Sequence, residues 1–149
     1  MSESMDSQKV FETLGRAIGL QAETVLTMAV MAGTLRGVEG AAIKQSLREF
    51  VLAELEDTYK LIEKMSALGG SVTISTTRVD VSSSPDEALD SLLKHEVEAV
   101  AALHAVIPHS GQEARSEALE HLLEHVIMRK QQQVDYLWHA SDLDEPLST

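Results

Sequence analysis

Apolar residues recur at helical spacing along four long stretches of the chain. The first runs from about Ser7 to Arg36 and sets Leu14, Ile18, Val25, Met28, Ala32 and Leu35 in one row, with Gln21 among them. The second, about Ala41 to Leu68, aligns Leu47, Phe50, Leu61, Met65 and Leu68, with Glu54 and Asp57 in the middle. The third, about Pro85 to Ile107, aligns Leu89, Leu92, Ala99, Leu103 and Val106 around Glu96. The fourth, about Gln112 to Ala140, aligns Leu119, Leu122, Val126 and Leu137, interrupted by Lys130 and Gln133. The pattern predicts an all-α protein of four helices in a single domain spanning residues 1–149.

The residues between the stretches fit this division. "GVEG" (Gly37 to Gly40) reads as a short turn, and Gly69–Gly70 as the stop of the second helix. "SPDE" opens the third, with Ser84 as cap, Pro85 at the first helical position and Glu87 completing a capping box. Ser110 and Glu113 are spaced for another box. Between Gly69 and Ser84 lies "GGSVTISTTRVDVSSS", whose β-branched residues could form a short strand. A helix of ~28 residues is ~42 Å long at ~1.5 Å per residue. Sixteen extended residues reach ~53 Å. The segment is therefore long enough to run back outside the bundle and start the third helix parallel to the second. A four-helix bundle with one such long crossover between helices 2 and 3 is of the ferritin-like kind.

Composition narrows the chemistry. Aromatic residues are 3% of the 149, so the core is aliphatic, and the absence of cysteine removes thiolate metal sites and thiol nucleophiles. The formal charge of −12 and the acidic ends disfavour nucleic acid as a partner. No stretch holds about 18 uninterrupted apolar residues, so no membrane span is expected. No signal-peptide pattern opens the chain, and a cytoplasmic location is the expectation.

Each apolar row is broken by polar residues well inside its helix: Gln21; Glu54 with Asp57; Glu96; Lys130 with Gln133. One polar residue on each of two helices and an i, i+3 pair on each of the others is the distribution of a di-metal carboxylate bundle. The stretch "ELEDTYKLIEKMSALGG" resembles the second helix of the ferritin and bacterioferritin superfamily, and "QQQVDYLW" resembles the end of its fourth. Carried over by that resemblance, the family's metal-ligand positions fall on Gln21, Glu54, Asp57, Glu96, Lys130 and Gln133. Glutamates remain at two of the six. The resemblance thus implies a degraded site. A haem-ligating methionine would stand at Leu55, so haem is not expected.

Two readings of this layer follow. In one, Lys130 pairs with the carboxylates while Gln21 and Gln133 donate to their spare lone pairs, a salt-bridged core in which di-iron chemistry is lost. In the other, Glu54, Asp57 and Glu96 hold a single divalent ion, iron or manganese, in a reduced site. The first makes the protein an assembling scaffold or interaction protein. The second makes it a metal-dependent storage or oxidase protein, though two-iron ferroxidase activity is not expected from either. His121 and His125 lie four apart on one helix among glutamates, and read as a solvated face.

The first helix is apolar nearly all round in "TVLTMAVMAG". Leu26, Val30 and Met31 form a second apolar face, which implies a partner subunit. The resemblance likewise implies a homodimer or larger homo-oligomer formed through helices 1 and 2.

Overall fold

The computed structural model describes residues 4–75 and 78–145. Thr76 and Thr77 of the crossover, and the outermost residues of both acidic ends, lie outside the described residues. Four α-helices form: α1 (Ser7–Thr34), α2 (Gly37–Ala67), α3 (Pro85–His104) and α4 (Ala114–Ala140), with a 3-10 turn at Ile107–His109. No strand occurs among the described residues, and the described part of the β-branched crossover is irregular.

Two apolar clusters fill the bundle. One joins Val10, Leu14 and Ile18 of α1 to Leu61 and Met65 of α2, Leu103 of α3, and Leu119 and Leu123 of α4. The other joins Met28 and Met31 of α1 to Ile43 and Leu47 of α2, Leu89 and Leu92 of α3, and Val134 and Leu137 of α4. The start of α1 thus meets the ends of α2 and α3 and the start of α4. This makes α3 parallel to α2, as the length of the crossover predicts, with α1 and α4 running the other way. Val72 packs on the first cluster and Val81 on the second, so the crossover traverses the length of the bundle. On the way, Ile74 and Val79 lie over Gly19, Ala22 and Leu26 on the outer side of α1. By length and composition α1 could cross a membrane; here it packs against both α2 and α3.

Several local details differ from the sequence reading. The "GVEG" stretch belongs to the first turn of α2, and the connection from α1 is only Leu35 and Arg36. Glycine permits this tight join, because a Cβ on Gly40 would lie 2.9 Å from the Leu35 carbonyl carbon. Gly69 and Gly70 do end α2: their N–H groups donate to Ser66 and Met65 carbonyls, with Gly69 at φ +96. Glu87 does not close a capping box. Its carboxylate accepts from the Ser82 hydroxyl, which accepts from the Ser84 N–H. The second box is also absent. Glu113 precedes α4 and accepts from the Met5 N–H at 2.8 Å, while Ser110 donates back to Ile107. On α4, Leu123 is fully buried and Leu122 only partly, a shift of one position from the expected row.

Candidate functional site

A polar layer separates the two apolar clusters. It contains the six residues singled out in the sequence, Gln21, Glu54, Asp57, Glu96, Lys130 and Gln133, and all are buried. They sit mid-helix, each replacing an apolar residue on its helix's inward face, which is why the fold carries them inside.

Lys130, fully buried, is the centre of the layer. Its ammonium pairs with Oε1 of Glu54 and lies 3.1 Å from both carboxylate oxygens of Glu96. The Gln133 amide nitrogen donates to Oε1 of Glu54 at 2.8 Å and to Oε2 of Glu96 at 3.2 Å. The Thr24 hydroxyl lies 2.8 Å from the remaining oxygen of Glu54. Every oxygen of these two carboxylates therefore has a donor.

Two contributors are not evident from the apolar rows. Thr24 is one. The other is Arg129, whose Nε donates to Asp57 and whose Nη1 donates to the Gln133 amide oxygen. Three carboxylates thus meet two cations, which leaves one negative charge in excess. Burial raises the Glu96 carboxyl; Lys130 opposes this and the nearby Glu54 adds to it, and the group stands at about 7. Burial would raise Glu54 too, but the charge and hydrogen bond of Lys130, with help from Thr24, hold it below the ordinary 4.5. With a value of about 7, Glu96 can take up the excess charge as a proton and release it again near neutral pH. Gln21 is the exception to this satisfaction: it is fully buried, and among the described residues neither end of its amide has a partner. Such groups cost about 1–3 kcal/mol.

The donor set does not fit a di-metal centre. A lysine ammonium has no lone pair for a metal, repels a second cation, and here engages three of the four oxygens of Glu54 and Glu96. Asp57 is turned to Arg129. Among the described residues no group of three or more His, Cys, Asp or Glu is placed to hold a metal ion, Glu54, Asp57 and Glu96 included. His121 lies 3.8 Å from Glu124, and both it and His125 are exposed.

A family model for the ferritin-like domain matches residues 11–147. The chain belongs to the ferritin-like family. Among solved structures, this ferritin-like chain is similar to a ferritin-like, diiron-carboxylate protein from Bacillus anthracis, with a TM-score of 0.78 and 20% identity over 92% of this chain and 98% of that one. It is also similar to the dodecameric thioferritin of Bacteroides fragilis, a bacterioferritin-related protein, with a TM-score of 0.81 and 11% identity over 92% and 86% of the two chains. A Dps protein from Vibrio cholerae gives 0.76 and 13% over 88% and 87%. At such identities these likenesses show the fold. No curated protein matches.

The second apolar face is distributed differently from the sequence reading. Leu26 and Val30 are exposed, 45% and 38%. Met31 is fully buried in the chain's own core and presents nothing outward. A helix turn of ~3.6 residues swings Met31 about 100° from Val30, which carries it inward. Leu52, Leu55 and Tyr59 of α2 are exposed apolar residues as well. A groove between the two helices is lined by Ala29, Ala32, Gly33, Val51 and Leu52 together with the cations Lys44 and Arg48.

Proposed function

We propose that this ferritin-like chain is a metal-independent subunit, an assembling scaffold or interaction protein of the cytoplasm, in which two-iron oxidation has been given up. The placement of the Lys130 ammonium between Glu54 and Glu96 carries this reading. A cation tethered to α4 supplies the positive charge that a bound metal would otherwise bring to buried carboxylates. The bundle is then complete without loading.

In this reading the chain assembles with copies of itself through the outer faces of α1 and α2. The apolar residues Leu26, Val30, Leu52, Leu55 and Tyr59 are the support for it. The Bacteroides fragilis relative is dodecameric, which supports the reading that this chain assembles with copies of itself.

Metal analysis of protein purified without chelator tests the reading, alongside a ferrous-oxidation assay and sedimentation. The expected result is an oligomer with no stoichiometric metal and no oxidation above the buffer rate. One iron or manganese per chain with Lys130 in place would overturn it in favour of a reduced metal site for storage or oxidation.

A further inference from the structure

The central layer holds more than an ion pair. We infer that Lys130 and Glu54 are poised to form an intramolecular amide, a covalent cross-link between α4 and α2, with Glu96 as proton carrier. The inference rests on the reading that an ammonium, and not a metal, fills the layer.

Each part of a condensation site is present. The nucleophile is the Lys130 nitrogen, whose lone pair is freed when an ionised Glu96 takes one ammonium proton; it already donates to Oε1 of Glu54, one bond from the carbon to be attacked. The oxygen that would remain, Oε2, is held by the Thr24 hydroxyl at 2.8 Å, which can stabilise negative charge as the carbon becomes tetrahedral. The proton carrier is Glu96, with both oxygens 3.1 Å from Nζ. Gln133 Nε2 bonds both the departing oxygen of Glu54 and Oε2 of Glu96, which keeps the carrier beside the leaving group. A solitary buried Lys–Glu pair lacks such a carrier.

The step balances without any co-reactant. The ammonium carries three protons and the amide nitrogen keeps one. The other two pass by way of Glu96 to Oε1. The Nζ–Cδ bond forms, the Cδ–Oε1 bond breaks, and Oε1 leaves as water; Glu96 ends as it began. Glu54, Glu96 and Lys130 are all fully buried, so bulk water is kept from the product amide. Holding the groups in reach replaces a bimolecular encounter that is slow in solution.

The test is intact mass and peptide mapping of the full chain, fresh and after long incubation at neutral pH. The expected result is a species lighter by one water that grows with time, with proteolytic peptides containing Glu54 and Lys130 joined and cleavage after Lys130 lost. Lys130→Met should stay at full mass, and Glu96→Gln should cross-link at least tenfold more slowly. A wild-type chain that stays at full mass overturns the cross-link, as does a water loss that maps elsewhere. Glu96→Gln that cross-links at the wild-type rate overturns the role of Glu96. Metal content of the same sample separates the two readings. Full mass without metal removes the cross-link alone, whereas full mass with bound metal removes the metal-independent reading as well.

Discussion

Glu96 presents both of its carboxylate oxygens to the Lys130 ammonium, each at 3.1 Å. Neither group reaches solvent, so each depends on the other and on Glu54 for its charge to be tolerated. Removing one partner leaves buried charge uncompensated, which typically costs on the order of 3–5 kcal/mol. Lys130→Ala should lose about that much stability near neutral pH, measured by denaturant unfolding against wild type of full mass. It should recover part of the loss as pH falls and the acids protonate. Equal stability of mutant and wild type at every pH would show that Lys130 is not the counter-charge.

Glu96 should also give the wild type a pH slope of definite sign. Its folded value of about 7 stands above the ordinary 4.5, so the folded chain holds a proton that the unfolded chain releases. That advantage is fully present below the ordinary value and is lost as pH rises toward about 7. Glu54 is shifted the other way, and its contribution is lost only as pH falls below 4.5. Stability should therefore decline from mildly acid to neutral pH, by roughly 1.4 kcal/mol per unit of the Glu96 shift at most. In Glu96→Gln this decline should vanish. A slope that survives the substitution would assign it to another group.

The orphaned amide of Gln21 offers a gain. Replacing an unsatisfied buried polar group by an apolar one of similar volume removes a penalty of about 1–3 kcal/mol. Gln21→Met should raise the unfolding midpoint without altering the fold. A drop instead would mean that a water or ion satisfies the amide.

The exposed apolar strip should govern assembly. Leu52 is 70% exposed and Leu55 56%. A double change to Glu at these two positions should leave the helical content intact and shift the sedimentation profile to smaller species. An unchanged profile would place the contact on another face.

The fold was legible because the helices announce themselves by period, and because the crossover has only one economical path along a bundle of this length. The buried polar residues were legible for a related reason: a glutamate or lysine in an apolar row stands out. Arg129 did not stand out. It follows Val126 by three and precedes Gln133 by four, which puts it on the flank of the same strip, yet a long side chain on a flank usually reaches solvent. Only the position of Asp57 on α2 turns it inward, and that is a matter of how two helices face each other. Met31 failed as an outward residue for a similar reason, since an all-round apolar helix gives no internal clue to which side its own bundle covers. The capping boxes turned on single hydrogen bonds, and Ser82 and Met5 supplied the competing partners.

The layer also has a consequence for how the bundle is put together. Gln21, Thr24, Glu54 and Asp57 belong to the hairpin of α1 and α2, and Glu96, Arg129, Lys130 and Gln133 to the pair α3 and α4. The first hairpin brings two carboxylates to the mid-plane; the second brings two cations and one carboxylate. Two greasy hairpins could slide past each other by one helical turn, about 5.4 Å, at little cost to leucine packing. These cannot, because a slip of one turn would set Lys130 and Arg129 among leucines and leave Glu54 and Asp57 facing methyl groups. The charged layer works as a notch that admits one alignment of the two halves.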